Sequence, residues 1–282
     1  MANKRTHHSR KNKTNKTANI KSKQVVYKKK TTNKNKKNNK INIKRIIYIL
    51  LILLFSGIII YSTIKIAFYT KDTIETKEVE EELLDYIKTD EETKEVIVDY
   101  NGLKQINSDM VAYLIINDTN ISYPIVRGTN NDYYLDHNFK KNYNASGWLF
   151  ADYTNKFDGT DNNIVIFGHS MKNKTMFGEL SKLLKKDWYS NPDNLLIKLM
   201  IDDVTYTYKV FSMYIITAED YYISTGIPSN EFNGFVRILK ERSIVKLDTN
   251  INNPKQILTL STCYDNYDKR LAVHAIRIEN ID

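Results

Sequence analysis

The sequence predicts a mainly β domain with helices, folded as a closed or nearly closed barrel. From Val111 onward, short apolar runs alternate with turn residues, and roughly eight or nine such runs follow one another at regular spacing. β-Branched and aromatic residues are common in these runs, and both favour strands. Two stretches between the runs have apolar residues at helical spacing instead. We therefore prefer a barrel with inserted helices to a sandwich.

Charge divides the chain into two unlike regions. Of the 42 Lys and Arg residues, 17 lie in residues 1–45, which contain no Asp or Glu, and the remainder has 25 basic and 33 acidic residues. The net charge of +9 therefore belongs to the tail, because the rest of the chain is acidic. We expect this basic tail to be disordered, since Lys, Asn and Thr cannot bury a core. It is typical of a cytoplasmic arm that sets topology, and we expect no nucleic acid as a partner.

Residues 46–64 form an uncharged apolar stretch between Arg45 and Lys65. The stretch is about long enough to cross a bilayer at a rise of about 1.5 Å per residue. The basic excess on its N-terminal side predicts a cytoplasmic N-terminus and an extracellular C-terminal part. A cleaved signal peptide is the alternative, but the stretch is long for one and no small-x-small cleavage site follows. We expect a single-pass anchor in the cell membrane.

The elements after the anchor follow from spacing and turn residues. Residues 65–95, of mixed charge and without Pro or Gly, predict a stalk or N-terminal helix. Residues 96–282 predict the extracellular domain, which opens with a second short helix over Val96–Ile106, around Tyr100, Leu103 and Ile106. The predicted strands are Val111–Ile116, Ile121–Val126, Trp148–Phe150, Asn163–Phe167, Leu195–Met200, Val204–Val210, Phe211–Thr217, Gln256–Thr262 and Leu271–Ile278. The predicted helices between them are Thr175–Leu184 and Glu231–Arg242.

Cys263, the only cysteine, stands where a strand-like apolar run turns polar. In an exported domain, a lone thiol is buried and inert, reserved for an intermolecular bond, or a reactive nucleophile. A nucleophilic thiol needs a neighbouring base or positive charge. His169 is the best candidate base, because it follows an apolar run and a glycine and should project at a strand end. His137, in a polar loop, and His274, within a strand, are more typical of structural histidines.

Arg270 follows Cys263 by seven residues and opens the next strand. A fixed guanidinium can stabilise the oxyanion that forms when a nucleophile attacks an amide carbonyl. Alternatively, Arg270 is a surface arginine paired with Asp265 or Asp268. Cys263, His169 and Arg270 are each a weak indication of catalysis when taken alone. Their combination, with a histidine, a cysteine and an arginine at three strand ends of one small β domain, is much more specific.

These residues stand in segments that resemble class B sortases, the membrane-anchored cysteine transpeptidases of Gram-positive cell surfaces. The similar segments, in the family's order, are Tyr123–Val126, Tyr133–Leu135, Gly147–Asp152, Phe167–Met171, Thr175–Leu180 and Thr259–Cys263 followed by Arg270. The resemblance covers roughly residues 80–282. It implies an eight-stranded β-barrel with N-terminal helices and a helix in the insertion before the strand that carries the cysteine.

The resemblance also implies a reaction. Cys263 would be the nucleophile, His169 the acid/base partner and Arg270 the oxyanion or substrate binder, while Ser261 and Thr262 would help to hold substrate. A sorting motif of the Asn-Pro-x-Thr type, or a Pro-containing variant, would be cleaved after threonine in exported surface proteins. The resulting thioester would be resolved by an amine of a peptidoglycan precursor. No metal or other cofactor is expected.

Three alternatives remain open from the sequence. The same chemistry could join pilin subunits, with a lysine side chain as the acceptor. A cysteine L,D-transpeptidase is less compatible, because the Ser-His-Gly-Cys type of arrangement is absent and His169 lies far upstream of Cys263. The third alternative is a non-enzymatic, membrane-tethered β domain in which Cys263 is merely buried.

Overall fold

The fold is taken from a computed structural model that describes residues 42–93, 95–202, 204–264 and 268–278. The expected basic tail lies outside these residues except for its last four positions. The described chain divides into two units, one ending at Leu54 and the other beginning at Phe55. The first unit holds the start of helix α1 (Ile43–Leu84), and the second holds the rest of α1 and the β domain.

Helix α1 contains the apolar stretch that the sequence singles out. By length and composition, it is a helix that could cross a membrane. The large apolar side chains between residues 46 and 64 are exposed, as lipid-facing side chains would be. Farther along, Thr76, Val79 and Leu83 are buried. The same helix therefore has a segment suited to lipid and a segment that packs on the domain.

The β domain is a closed eight-stranded barrel, which confirms the predicted fold. A two-stranded sheet of β1 (Ile87–Thr89) and β2 (Val96–Val98), then helix α2 (Tyr100–Ile106), precede it. The barrel strands are β3 (Met110–Ile116), β4 (Ser122–Val126), β5 (Phe150–Ala151), β6 (Asn163–Phe167), β7 (Leu196–Ile201), β8 (Val204–Thr217), β9 (Ile257–Tyr264) and β10 (Lys269–Ile278). Their order around the barrel is β10-β8-β7-β3-β4-β5-β6-β9, and β9 closes it by pairing with β10.

Two parallel pairings, β4 with β5 and β6 with β9, interrupt an otherwise antiparallel barrel. Parallel neighbours need long connections. The β6–β9 connection contains the short helix α3 (Lys186–Tyr189), strands β7 and β8, and helix α4 (Ser229–Glu241). α4 buries Phe232, Phe235, Val236 and Leu239 in a second apolar cluster on the outside of β8, β9 and β10. This is the helix that the sequence predicts over Glu231–Arg242.

Three predictions about local structure were wrong. The helix predicted over Val96–Ile106 begins only at Tyr100, because Val96–Val98 pairs with β1 as strand β2. The predicted break between Val210 and Phe211 is a β-bulge within the continuous strand β8, opposite the step between His274 and Ala275. The predicted helix Thr175–Leu184 is an irregular loop followed by a 3₁₀ turn at Leu180–Leu184. Met176 has a φ of 53°, which no α-helix tolerates, although the apolar side chains of this stretch are buried as their spacing predicts.

We expect only the part of α1 after residue 64 to contribute to the stability of the β domain. Removal of residues 1–64 leaves the free energy of unfolding unchanged, because no buried side chain of the β domain is lost. Removal of residues 1–86 lowers it by about 3 kcal/mol or more, since Val79 and Leu83 leave the core. Urea denaturation of the two shortened proteins measures the difference, and coincident unfolding midpoints would contradict this role of α1.

Candidate active site

One cavity of about 340 Å³ brings together the three residues that the sequence selects. His169, Cys263 and Arg270 all line it, together with Ser261 and Thr262. Leu135, Phe150, Phe167 and Ile223 add an apolar lining. Cys263 is partly exposed, so its thiol is reachable from solvent. The cavity therefore combines a thiol, an imidazole and a guanidinium with apolar surface that suits a peptide side chain.

His169 is positioned by the parallel pairing of β6 with β9. Phe167 lies opposite Ser261 at the end of this ladder, and the Gly168 amide continues it with a bond to the Ser261 carbonyl at 3.3 Å. The Thr262 hydroxyl donates to the Gly168 carbonyl at 2.8 Å. These bonds hold the backbone before His169 against the backbone before Cys263.

Gly168 is required by space at this strand end. A Cβ atom at residue 168 would lie 2.1 Å from Leu149 Cδ2 and 2.9 Å from Phe177 Cδ2. Since real Cβ atoms do not approach so closely, a larger residue would force a shift of the buried Leu149 and Phe177 side chains or of the backbone that carries His169. The glycine before the histidine is therefore part of the geometry of the site.

The imidazole of His169 is held by a backbone carbonyl. Nε2 lies 2.7 Å from the Leu135 carbonyl oxygen. Because a carbonyl only accepts hydrogen bonds, Nε2 carries the proton, and Nδ1 is the acceptor of the neutral ring. The sequence analysis missed this partner, since a main-chain oxygen leaves no residue signature. Its only trace is the Tyr133–Leu135 segment, noted there for its family resemblance.

Helix α1 supports the loop that follows His169. The Met176 amide donates to the Tyr123 hydroxyl at 3.2 Å, and this hydroxyl donates to Glu80 Oε1 at 2.7 Å. Burial raises the pKa of Glu80, and the bond from Tyr123 partly offsets that increase. The Phe177 amide in turn donates to the His169 carbonyl at 3.0 Å. The packed part of α1 is thus linked to the histidine loop.

Cys263 and Arg270 are direct partners in the antiparallel ladder of β9 and β10. Directly opposite residues in such a ladder carry their side chains on the same face of the sheet. Arg270 also donates from Nη1 to the Lys269 carbonyl at 3.2 Å. The strand register therefore places the side chains of Arg270 and Cys263 on the same face of the sheet, and both line the cavity. Asp265 lies outside the described residues.

Ser261 and Thr262 line the cavity, but their hydroxyls are engaged within the protein. Thr262 binds Gly168 as described above, and Ser261 Oγ lies 2.9 Å from the Tyr222 hydroxyl. Burial raises the pKa of Tyr222, while the bond to Ser261 and the charge of Arg270 act against that increase. Tyr222, which also lines the cavity, was missed by the sequence analysis because it lies in the connection between β8 and α4.

The other two described histidines lie in ordered surroundings away from the cavity lining. His274 is fully buried, with Nδ1 3.0 Å from Thr259 Oγ1 and Nε2 2.9 Å from the Tyr214 hydroxyl. Thr259 donates to Asn163 Oδ1 at 2.8 Å, so it accepts from Nδ1, and Tyr214 donates to Nε2. His137 stacks on Tyr133 with ring centroids 4.0 Å apart.

Residues 114–278 of the chain match the Sortase domain family. The chain is similar to Sortase B of Listeria monocytogenes, with 31% identity over 201 residues that cover 70% of this chain and 74% of the relative. It is also similar to the crystal structure of sortase B from B. anthracis, with a TM-score of 0.65, 31% identity and coverage of 75% of this chain and 100% of that one. A Staphylococcus aureus sortase B–substrate complex aligns with a TM-score of 0.59 and 26% identity, covering 78% and 99% of the two chains.

We expect His274 to make stability fall in acid. Burial, with a smaller contribution from the Arg242 charge, lowers the pKa of His274 from 6.5 to about 3. The unfolded chain therefore takes up the proton first, and stability present above pH 6.5 is lost as the pH falls towards 3. The slope is about 1.4 kcal/mol per pH unit.

His274→Gln should remove this slope between about pH 6.5 and pH 5, whatever its effect on stability at neutral pH. His137→Gln, at a partly exposed histidine, should retain the slope. Urea denaturation at a series of pH values compares the two variants with the unaltered protein. Equal slopes in all three proteins would contradict the assignment to His274.

Proposed function

The chain belongs to the sortase family, whose class B members are cysteine transpeptidases, and from that premise we propose that it attaches exported proteins to the cell wall. The observation that carries the proposal is the meeting of His169, Cys263 and Arg270 on one cavity. The sorting motif is of the Asn-Pro-x-Thr type or a Pro-containing variant, and cleavage follows the threonine. The acceptor is an amine of a peptidoglycan precursor.

In the proposed reaction, His169 takes the proton of the Cys263 thiol, and the resulting thiolate attacks the carbonyl carbon of the motif threonine. Arg270 stabilises the negative charge that develops on the carbonyl oxygen. As the peptide C–N bond breaks, His169 gives a proton to the departing amine, and a thioester remains on Cys263. The acceptor amine then attacks the thioester, His169 takes up its proton, and the Cys263 thiolate leaves.

Different contacts position the residues to which we assign roles in the reaction. His169 is fixed by the Leu135 carbonyl on one ring nitrogen, which leaves the other nitrogen as the proton acceptor. Arg270 is aligned with Cys263 by the strand register. We assign Ser261 and Thr262 an indirect part in binding substrate, since their hydroxyls shape the cavity through Tyr222 and Gly168.

We also propose that α1 anchors the protein in the cell membrane. Residues 46–64 would lie in the bilayer, with the basic tail in the cytoplasm and residues 96–282 outside. Residues 65–95 would join the anchor to the catalytic domain. Support comes from the length and apolar surface of α1. This placement would bring the cavity to the compartment in which exported proteins and wall precursors meet.

Intact-mass spectrometry tests the chemistry directly. The full chain, in detergent micelles, is incubated with peptides of the Asn-Pro-x-Thr-x series and related sequences. A mass gain equal to the acyl fragment is expected, and it should be absent in Cys263→Ala with an unchanged cooperative thermal transition, since a partly exposed strand-end thiol contributes little packing. Addition of a glycine peptide or a lysine-containing pilin peptide then distinguishes the two acceptor classes. A Cys263→Ala protein that still forms the adduct would refute the proposed nucleophile.

Replacement of Arg270 by lysine tests the guanidinium. We expect kcat/KM for the acylating peptide to fall about 10²-fold or more, because an ammonium lacks the planar fork of donors. Arg277→Lys is the matched control, since Arg277 lies in the same strand and stacks on Tyr206 at 4.2 Å. Near-normal turnover by Arg270→Lys would remove the case for oxyanion stabilisation by this residue.

A further inference from the structure

One wall of the cavity is an irregular segment that joins β8 to α4. We call residues Ala218–Ile223 the cleft segment, because Ala218, Glu219, Asp220, Tyr222 and Ile223 all line the cavity. Its backbone is tied to β10 by a bond from the Ala218 amide to the Asp268 carbonyl at 3.2 Å. Tyr222 is tied to β9 through Ser261. Between these bonds, the Tyr221 ring packs on Phe235 of α4 with ring centroids 5.2 Å apart, and one charged group also contacts this part of the segment.

Arg242, at the C-terminal end of α4, is that group. Its Nη1 donates to Glu219 Oε1, and its guanidinium lies 4.9 Å from the centre of the Tyr221 ring. One side chain therefore contacts two residues of the cleft segment, by an ion pair and by a cation–π contact. Arg242 is also hydrogen-bonded to Tyr214 of β8. Neither Arg242 nor the two residues of the cleft segment that it contacts are part of the proposed chemistry.

The backbone that carries Arg242 is firmly attached to β8. On one side, Ser212 Oγ donates to the Leu239 carbonyl at 2.5 Å. On the other, the Met213 amide donates to Ser243 Oγ at 3.0 Å, and the Ile244 amide donates to the Met213 carbonyl at 2.9 Å. Since α4 is fixed immediately before and after residue 242, the guanidinium is a stable point from which to hold the cleft segment.

The ion pair also controls charge inside the cavity. Glu219 and Arg270 line the same space. Their charges act on one phenol, because Glu219 raises the pKa of Tyr222 and Arg270 lowers it. A Glu219 carboxylate released from Arg242 would be attracted to Arg270 and would compete with an oxyanion for it. The ion pair with Arg242 holds the Glu219 carboxylate away from Arg270.

A contribution to the stability of the fold does not account well for the ion pair between Arg242 and Glu219. The side chains of Arg242 and Glu219 are 31% and 37% exposed, and partly exposed ion pairs contribute little to the stability of a fold. We propose that Arg242 is a positioning residue that holds the cleft segment in the shape that receives the sorting peptide and keeps Glu219 away from Arg270. This inference rests on the proposed function, because the ligand of the cleft is taken to be a peptide.

The first test separates binding from chemistry. Arg242→Gln, Arg242→Lys and the control Arg237→Gln, at an exposed arginine of the same helix, are compared as full chains in detergent micelles. The probe is the acylating peptide found in the Asn-Pro-x-Thr-x series. We expect Arg242→Gln to raise KM about tenfold while kcat changes less than about threefold. Arg242→Lys should restore part of the loss, and Arg237→Gln should match the unaltered protein.

The second test needs no substrate. Hydrogen exchange of the amides in residues 218–223, read by mass spectrometry, should accelerate about tenfold in Arg242→Gln and remain unchanged in Arg237→Gln. Exchange in β9 should stay the same in both variants. If no peptide acylates the unaltered protein, the proposed function fails, and this measurement still decides whether Arg242 orders the cleft segment.

Glu219→Gln covers the case in which Arg242→Gln does not fold. It keeps the shape of the side chain and removes the charge, and it should raise KM in the same direction. In the double variant with Arg242→Lys, the two effects on KM should not add, because they act on one contact. A lowered melting temperature with unchanged KM and unchanged exchange in residues 218–223 would overturn the proposal and leave Arg242 a structural residue.

Discussion

The site depends above all on the parallel pairing of β6 with β9. This ladder joins segments that lie 94 residues apart at the bond between Thr262 and Gly168. It places the ends of two strands side by side, with His169 two residues after the end of β6 and Cys263 one residue before the end of β9. The long connection between the strands contributes the cleft segment and α4. The pairing of β6 with β9 therefore brings His169 and Cys263 to the same cavity.

The antiparallel pairing of β9 with β10 brings Arg270 to the site. This pairing joins strands that are neighbours in the sequence. A short turn between two strands fixes their register, and the register decides which side chains lie opposite each other. The partner of Cys263 in this ladder is Arg270. The relation of Cys263 to Arg270 is therefore set by neighbouring strands, whereas the position of the imidazole depends on contacts that are distant in sequence.

Sequence reasoning succeeded where periodicity and strand ends carry the information. It selected the barrel strands, the helix α4 and the histidine, cysteine and arginine that line the cavity, but not the strands β1 and β2. It failed at Met176, because a left-handed residue in an apolar stretch leaves no periodic trace, and Phe177 was buried by a loop instead of a helix. The Leu135 carbonyl and Tyr222 were missed for another reason. Both act through contacts between distant segments, and only the closed barrel determines those contacts.

The unbroken course of α1 affects where the enzyme can work. From Lys65 to Leu84 the helix has no glycine or proline, and its last turns are packed on the β domain. At a rise of about 1.5 Å per residue, this part spans about 30 Å. A helical connection of this kind is stiff, in contrast to a flexible linker of the same length. Under the proposed anchoring of residues 46–64, it would restrict the motion of the β domain at the membrane surface.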